Sequence, residues 1–244
     1  MKVFRGLDNI PSFRNAVATM GSFDGVHSGH RELLRRVKEL AASVEDESIV
    51  ITFEPHPRYV LGTGERMSLL TTLDEKLWLL EREGIDNVIV VPFTTEFSHT
   101  SPEDFIQHHI APLGLHTLVV GYNHRFGHKK EGDYDFLERS AGFKVQMVEQ
   151  QQVVGSKVSS TIVRQLLTLG RMDKAATLLS HPYIIACEVD GNGYAISIDE
   201  HKLLPTSGQY TARIGDEVVK VTIDDNRSLK VDPTPKGSVI LEFE

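Results

Sequence analysis

The sequence predicts an α/β fold: a Rossmann-like parallel sheet with flanking helices, followed by a small C-terminal antiparallel β module. From residue 16 to about residue 149, short β-rich apolar runs alternate with segments of helical period, which is typical of parallel strands joined by crossover helices. From Tyr183 onward short alternating runs follow one another, separated by turn signals such as Asp190-Gly191-Asn192-Gly193. We therefore predict two domains, residues 1–182 and residues 183–244.

The parallel strands are predicted from apolar runs that are short and β-branched. Five runs qualify, at residues 16–21, 48–53, 87–92, 117–121 and 143–149. The segment after the first run carries Leu34, Val37 and Ala41 on one helical stripe, with charged residues mostly elsewhere. This pattern predicts an amphipathic helix that packs on the sheet.

Later helices are predicted from their start signals. Thr72 with Glu75 three residues later forms a capping-box pattern, and Ser101 followed by Pro102 is typical of a helix start. Two further helical segments are predicted at 161–169 and 172–179. The runs predicted as antiparallel strands lie at 194–198, 209–214, 218–223 and 238–243.

Composition narrows the class of protein. The chain has 244 residues, 40% of them hydrophobic, which is enough to build a sizeable core, and a formal net charge of -8. Such a charge argues against a general affinity for nucleic-acid backbones. The single cysteine, Cys187, cannot form an intramolecular disulfide, and no run approaches the roughly 20 apolar residues of a membrane span. We predict a cytoplasmic protein that binds neither nucleic acid nor membrane; the oligomeric state stays open.

The most informative segment runs from the first strand into the first helix. It reads Gly21-Ser22-Phe23-Asp24-Gly25-Val26-His27-Ser28-Gly29-His30. Ligands of open parallel sheets bind beyond the carboxyl ends of the strands, where helix N-termini present N–H groups to anions. His27 and His30 are three residues apart and can both donate hydrogen bonds to a phosphate. The alternatives are two surface histidines on a capped helix, or a zinc pair that lacks a third ligand.

A second candidate phosphate site is the string Lys157-Val158-Ser159-Ser160-Thr161-Ile162-Val163-Arg164. Hydroxyl groups at a helix N-terminus with an arginine one turn later can hold phosphate oxygens. The alternative for this string alone is an N-capped helix with a solvated arginine.

Both strings carry a resemblance. The first resembles the G-x-F-D-x-x-H-x-G-H signature of the cytidylyltransferase-like nucleotidyltransferases, and the second resembles their [RK]-[IV]-S-S-T-x-x-R string. Three further strings resemble the FAD synthetase (FMN adenylyltransferase) module of bacterial bifunctional riboflavin kinase/FAD synthetases, and the match ends near His181-Pro182-Tyr183. These strings are Thr52-Phe53-Glu54-Pro55-His56-Pro57-Arg58, Leu70-Thr71-Thr72-Leu73-Asp74-Glu75-Lys76 and Gly121-Tyr122-Asn123-His124-Arg125-Phe126-Gly127.

The resemblance implies an adenylyltransferase that converts ATP and FMN to FAD and pyrophosphate. ATP would arrive with Mg²⁺, for which the sequence assigns no ligands. The residues implied in catalysis are His27, His30, Asn123, Lys157 and Arg164. Those implied in ATP binding are Gly21, Ser22, Phe23, Asp24, His27, His30, Lys157, Ser159, Ser160, Thr161 and Arg164. Those implied in FMN binding are Phe53, Pro55, His56, Pro57, Asn123, Arg125 and Phe126.

The chain also departs from the family. His124 stands where the family usually has Phe, and Tyr122 replaces a commonly acidic residue, so a related transferase that acts on another phosphorylated small molecule is an alternative. The kinase module's G-x-P-T-A-N string is missing after Gly193. We therefore interpret 183–244 as the remnant of a riboflavin kinase-like barrel without kinase activity. A non-catalytic flavin or nucleotide sensor is the other alternative. If the chemistry lies in the first domain, deletion of 191–244 should leave adenylyl transfer in place.

Overall fold

The computed structural model describes residues 1–7, 10–64, 67–149, 152–153 and 156–244; of residues 152, 153, 156 and 157 it describes the backbone alone. The strands in chain order are β1 Lys2–Arg5, β2 Ala16–Met20, β3 Ser48–Glu54, β4 Asn87–Pro92, β5 Leu115–Gly121, β6 Lys144–Val148, β7 Gln152–Val153, β8 Ser156–Lys157, β9 Tyr183–Val189, β10 Gly208–Ile214, β11 Glu217–Ile223, β12 Leu229–Asp232 and β13 Gly237–Phe243. The α-helices are α1 Ser28–Ser43, α2 Pro57–Val60, α3 Leu73–Arg82, α4 Pro102–Phe105, α5 Tyr134–Ser140, α6 Ser160–Thr168 and α7 Met172–Leu179.

The first sheet has six strands in the order β1-β4-β3-β2-β5-β6, and all five pairings are parallel. The predicted Rossmann-like sheet is thus confirmed, and the five predicted runs form β2 to β6. The edge strand β1 was not among them. Its sequence Lys2-Val3-Phe4-Arg5 places charges at both ends of a four-residue run, which conceals an apolar period. It pairs with β4, where Lys2 lies opposite Asn87.

Apolar side chains cover both faces of this sheet. Every residue of β2 is buried, as expected for a strand between two packed faces. On one face Val37 and Ala41 of α1 pack against Val17 and Val119. On the other face the strands pack against apolar residues of α4, of the turn that follows it and of α5, namely Phe105, Ile106, Ile110 and Leu137.

The second sheet has five antiparallel strands in the order β12-β11-β10-β13-β9. This confirms the predicted C-terminal β module. One predicted strand, residues 194–198, is wrong. Tyr194 forms an isolated bridge with Lys230 of β12, and Ala195 forms one with Val189 of β9. The segment therefore touches two different strands in turn, so its alternation never becomes a ladder.

Helix starts follow the predicted chemistry. The Thr72 N–H donates to Glu75 Oε2 at 2.8 Å and the Glu75 N–H donates to Thr72 Oγ1 at 3.3 Å, the reciprocal bonds of a capping box. Ser101 Oγ accepts from the Asp104 N–H at 3.0 Å. None of the helices in the described ranges is long and apolar enough to cross a membrane.

The chain forms two compact units that do not follow chain order. The first consists of residues 1–23, 29–66 and 80–151, and contains the parallel sheet. The second consists of residues 24–28, 67–79 and 152–244, and contains the antiparallel sheet with α6 and α7. These units are groups of residues in close contact, whereas the predicted boundary between residues 182 and 183 separates domains that would fold independently. That boundary stays a prediction.

Candidate functional site

The first unit contains a cavity of about 320 Å³ at the carboxyl ends of four neighbouring parallel strands. Gly21 and Ser22 follow β2, Phe93 directly follows β4, and the other two strands contribute the residues after β3 and β5. The lining residues are Met20, Gly21, Ser22, Phe53, His56, Pro57, Arg58, Leu61, Phe93, Phe97, Ser98, Thr100, Phe105, His124, Arg125, Phe126, Gly127 and Lys130.

The cavity wall is rich in phenylalanine. Phe53, Phe93 and Phe97 form a cluster in which the ring centroids are 5.7 to 6.3 Å apart. Phe105 extends it, at 6.0 Å from Phe97 and 5.7 Å from Phe126. Aromatic rings in edge-on and tilted arrangements can contact a flat ligand through both their faces and their edges. The cavity therefore suits an aromatic ligand of heterocycle size.

Polar groups line the same cavity. His56 is the N-cap of α2, and its Nδ1 accepts from the Arg58 N–H at 3.2 Å. An accepting Nδ1 assigns the proton of the neutral ring to Nε2, which makes that nitrogen a donor. Arg125 is held by an ion pair with Asp133 at 2.8 Å. The cavity thus combines an apolar wall with a few fixed donors.

His124 lies in the cavity wall, and its ring nitrogen is shielded from solvent. Its ring stacks on Phe126, with centroids 5.8 Å apart and planes at 19°. Its Nε2 is inaccessible to solvent and has no hydrogen-bond partner among the described residues. Burial lowers the pKa of His124 to about 4, so the ring is neutral at pH 7.

Two residues predicted for the acceptor side lie outside the cavity lining. Pro55 and Asn123 are both exposed, in the turns after β3 and β5. Gly21, Ser22, Phe53, His56, Pro57, Arg125 and Phe126 are the predicted site residues that the structure brings together in this cavity.

Two further predicted residues of the first unit, Phe23 and His30, contact each other. Phe23 is buried and has a left-handed backbone with φ of 49°, and its ring lies 5.0 Å from that of His30. A positive φ in an aromatic residue is strained, and such strain is common in ligand-binding loops. Phe23 therefore shapes the loop and packs against His30.

The second unit brings together residues of the two predicted phosphate strings. Asp24 is buried, and its Oδ1 accepts from the Leu70 and Thr71 N–H groups at 2.9 and 3.0 Å. Its Oδ2 forms an ion pair with Arg164, a residue 140 positions away in the sequence. Ser160 Oγ donates to the backbone oxygen of Asp24 at 2.9 Å. Asp24 therefore fixes the start of the first string to the helix of the second.

The loop beyond Asp24 is tightly constrained. Gly25 has φ of 81°, and a Cβ built there would lie 2.7 Å from Cδ1 of Leu70, so only glycine fits. Val26 has φ of 39°, which is unusual for a β-branched residue. The Gly25 N–H donates to Thr71 Oγ1, and its carbonyl oxygen lies 3.0 Å from His181 Nε2. This loop is held in one conformation by bonds on both sides.

His27 lies in this loop and is 8% exposed. Burial is the largest cause that lowers its pKa to about 4. A hydrogen bond to the backbone and the Asp24 carboxylate oppose this effect, whereas His181 and Arg164 add to it. The imidazole is therefore neutral at pH 7 and can donate one hydrogen bond without carrying charge.

The second string has a cap, an anchor and an exposed hydroxyl. Ser159 is the N-cap of α6, where its Oγ accepts from the Ile162 N–H at 3.4 Å. Thr161 is exposed in the first turn. Arg164 Nε donates to Ser68 O at 2.7 Å, so this guanidinium holds two partners besides any ligand. The side chain of Lys157 lies outside the described part of the chain.

A buried ion pair lies close to these residues in the second unit. Lys202 and Glu75 are each 1% exposed, and Lys202 Nζ lies 2.6 Å from Glu75 Oε2. Burial lowers the pKa of Lys202 and the Glu75 carboxylate opposes that effect. Buried charges of this kind persist only when they are paired and fully hydrogen-bonded.

The carboxylates of the described residues near the two strings do not form a magnesium site. Magnesium in nucleotide sites is usually bound by one or two carboxylates together with substrate phosphates. Asp24 is the carboxylate of the first string, and its oxygens are occupied by Leu70, Thr71 and Arg164. Within the described ranges no group of three His, Cys, Asp or Glu side chains could hold a metal ion.

Sequence reasoning missed the role of three groups of residues. Phe93 directly follows β4 and Phe97 follows four positions later, so the rule that ligands bind at strand carboxyl ends could have identified them. Leu70 and Thr71 were noted as a resemblance alone, and no local pattern reveals that their N–H groups bind a carboxylate 46 residues away. Lys202 carries no sequence signal, since it stands in an ordinary polar loop.

Comparisons with known proteins agree with this geometry. Residues 9–162 match the family described as FAD synthetase. A protein of Listeria monocytogenes named FAD synthetase is 33% identical over 226 residues, which cover 89% of this chain and 87% of that protein. A bifunctional riboflavin kinase/FMN adenylyltransferase of the same organism is 33% identical over 82% of this chain and 68% of its own length. The protein of that name from Pseudomonas fluorescens is 36% identical over 78% of this chain and 62% of its own length.

A solved structure shows the same fold. The crystal structure described as a macrolide-efflux protein from Streptococcus pneumoniae aligns with a TM-score of 0.83 over 99% of this chain and 88% of that chain, at 21% identity. At that identity the likeness concerns the fold alone. The family match covers more than half of the chain and contains the loop of Asp24 and the aromatic cavity. The chain belongs to the FAD synthetase family of nucleotidyltransferases.

Proposed function

We propose that this protein is an FMN adenylyltransferase, which converts MgATP and FMN to FAD and pyrophosphate in the cytoplasm and lacks riboflavin kinase activity. The observation that carries the proposal is the phenylalanine-lined cavity at the carboxyl ends of the parallel strands. An isoalloxazine ring is flat, largely apolar and polar at its edge. Phe53, Phe97 and Phe126 match its faces, while His56 and Arg125 match its polar edge or phosphate.

The chemistry needs no covalent intermediate with the protein. An oxygen of the FMN phosphate attacks the α-phosphorus of ATP and forms the new P–O–P bond. The bond from the α-phosphorus to its bridging oxygen breaks, and pyrophosphate leaves with the electron pair. His27 and His30 donate hydrogen bonds to phosphoryl oxygens, whose charge grows in the transition state. Lys157, Ser159, Ser160 and Thr161 hold the ATP phosphates together with the loop of Gly21, Ser22, Phe23 and Asp24, and Asn123 orients the reacting phosphates.

Arg164 has a more specific role in this proposal. Its Nη2 is paired with Asp24 and its Nε with Ser68, and 15% of its side chain is exposed. A guanidinium has five N–H donors, so donors remain for a phosphate oxygen after these bonds. Arg164 would thus bind ATP while it fixes Asp24.

The absence of kinase activity is supported by the residues that follow Gly193. The segment after Gly193, where the kinase string would stand, forms two isolated bridges and carries Tyr, Ala, Ile, Ser and Ile. This segment therefore lacks the string by which the kinase module of the family would bind a nucleotide.

The direct test is incubation of the purified protein with MgATP and FMN, followed by chromatography for FAD and an assay for pyrophosphate. We expect both products in equal amounts, at a rate proportional to protein. A panel of other phosphorylated acceptors, including phosphopantetheine and polyol phosphates, is run in parallel. A product from another acceptor and none from FMN would identify a related transferase. Binding of FMN and MgATP without any product would identify a sensor.

A further inference from the structure

One peptide group, between Leu70 and Thr71, lies between two buried charges of opposite sign. Its N–H, on Thr71, donates to Asp24 Oδ1 at 3.0 Å. Its carbonyl oxygen, on Leu70, accepts from Lys202 Nζ at 2.6 Å. Asp24 and Lys202 are 2% and 1% exposed. A polar group aligned between a cation and an anion strengthens the hydrogen bonds at both of its ends. The ammonium and the carboxylate therefore stabilise each other through this peptide.

Lys202 uses all of its hydrogen-bonding capacity in this arrangement. Besides Leu70, its Nζ donates to Glu75 Oε2 at 2.6 Å and to Ile184 O at 2.7 Å. Three acceptors match the three N–H groups of an ammonium ion. Glu75 Oε2 also accepts from the Thr72 N–H at 2.8 Å. The same ion pair thus orients the next peptide along the chain.

The backbone on either side of Lys202 is bound to the same segment. The Leu69 N–H donates to His201 O at 2.7 Å, and the Leu203 N–H donates to Leu69 O at 2.8 Å. These bonds align the two stretches and leave the Lys202 side chain directed at Leu70. The position of the ammonium is therefore set by the fold of the C-terminal module.

We propose that Lys202 is a positioning residue for adenylyl transfer. It holds the peptide between Leu70 and Thr71, which fixes Asp24, and through Asp24 it fixes the guanidinium of Arg164 and the glycine-rich loop that binds ATP. The inference rests on the function proposed above.

The inference gives the C-terminal module a role in catalysis. The sequence alone suggests that deletion of 191–244 leaves adenylyl transfer in place. Because residue 202 lies in the deleted part, the structure leads to the opposite expectation. A point variant tests this more sharply than the deletion, since the sheet itself remains.

The test is the variant Lys202→Met, which keeps the length of the side chain and removes the charge and the donors. We expect the dissociation constant for MgATP, measured by titration calorimetry, to rise about tenfold or more, the scale on which small displacements of binding groups act. The KM for FMN should rise much less, because the cavity lining includes Gly21 and Ser22 of this loop but neither Asp24 nor Arg164. A general loss of structure would weaken the binding of both substrates to a similar extent.

Two further variants serve as controls. Lys202→Met leaves the Glu75 carboxylate unpaired, so the double variant Lys202→Met/Glu75→Gln replaces the ion pair by neutral side chains of similar volume, a change that buried pairs often tolerate. Arg213→Met is the matched control, because it breaks an exposed ion pair with Glu244 at 2.8 Å in the same β module. It should bind MgATP as the wild type does. All binding is measured where circular dichroism shows a folded variant.

The outcomes separate the inference from the proposed function. Unchanged MgATP affinity in the folded double variant overturns the inference, and so does an equal loss of MgATP and FMN affinity. If the wild type binds MgATP but forms no FAD from FMN, the proposed function fails. The MgATP affinities of the variants then still decide whether Lys202 positions the loop. A wild type that does not bind MgATP overturns both.

Discussion

The chemistry of His27 is restricted by its surroundings. A neutral imidazole with a pKa of about 4 cannot neutralise a phosphate at pH 7, but it can donate one directed hydrogen bond. We expect His27→Ala to lower kcat about 100-fold, the scale of losing one such donor, as followed by FAD formation. The exposed His108→Ala is the control and should keep full turnover. A His27→Ala protein that retains most of its activity would remove this residue from the mechanism.

Two histidines with lowered pKa values make stability depend on pH. The pKa values of His27 and His124 are lowered to about 4 from an ordinary value of 6.5, chiefly by burial. Between pH 6.5 and pH 4 the unfolded chain protonates these rings and the folded chain does not, so protons favour unfolding. The free energy of unfolding should therefore fall as pH falls through this window, by up to about 3 kcal/mol for each ring. Urea unfolding at pH 7, 6 and 5 measures the slope.

The variant His124→Phe separates the two contributions. It removes one titrating ring and also a buried Nε2 without a partner among the described residues, while it retains an aromatic ring against Phe126. We expect a protein that is about 1 kcal/mol more stable at pH 7 and that shows a shallower fall toward pH 5. An unchanged slope would mean that the pKa of His124 is not lowered in the folded protein.

At the scale of elements, the loop after β2 depends on one glycine. Gly25 combines φ of 81° with a built Cβ only 2.7 Å from Leu70, so Gly25→Ala must shift the loop or the segment of Leu70. We expect a loss of about 2 kcal/mol or more in the free energy of unfolding and a weaker affinity for MgATP. Gly191→Ala is the matched control, because a Cβ there meets nothing within 4 Å. Equal melting temperatures for the two variants would contradict the strained loop.

The elements also show what the sequence can and cannot predict. Parallel strands such as β3 were predictable, because burial on both faces produces an apolar run that little else explains. The strand β1 was missed and residues 194–198 were wrongly assigned, because the pairing partner of an edge or bridge segment is not encoded locally. The two candidate phosphate-binding strings could be recognised from their residue patterns. Their connection through Asp24, Leu70 and Thr71 was not, since it depends on contacts between distant parts of the chain.

At the scale of the whole molecule, the match to the FAD synthetase family covers residues 9–162, and the antiparallel sheet lies after it. The five-stranded antiparallel sheet is complete in the described residues, with β9 paired along its length to β13. Its core is ordinary, built from alternating residues such as Val219, Val221 and Ile223. The module therefore has the structure of a stable β sheet, and its loops decide whether it can also bind a nucleotide.

Phosphorylation of riboflavin needs three things: a site for the nucleotide's phosphates, a metal held by oxygen ligands, and a group that orients the attacking hydroxyl. In the bifunctional family that this chain resembles, the P-T-A-N string serves the first two needs. Here the residues after Gly193 are apolar or small, and neither Pro205-Thr206 nor Pro233-Thr234 is followed by Ala-Asn. The segment that would carry the string instead forms bridges to β9 and β12.

We therefore expect that riboflavin will not be phosphorylated, although FMN will be adenylylated. The assay supplies riboflavin with excess MgATP and follows FMN and FAD by chromatography, with FMN as the acceptor in a parallel reaction that shows the protein to be active. Because adenylyl transfer needs the phosphate of FMN as its nucleophile, riboflavin itself cannot enter the second reaction, and the mixture should contain neither product. FMN or FAD formed from riboflavin in proportion to purified protein would show a phosphate site that the sequence does not reveal and would restore a bifunctional enzyme.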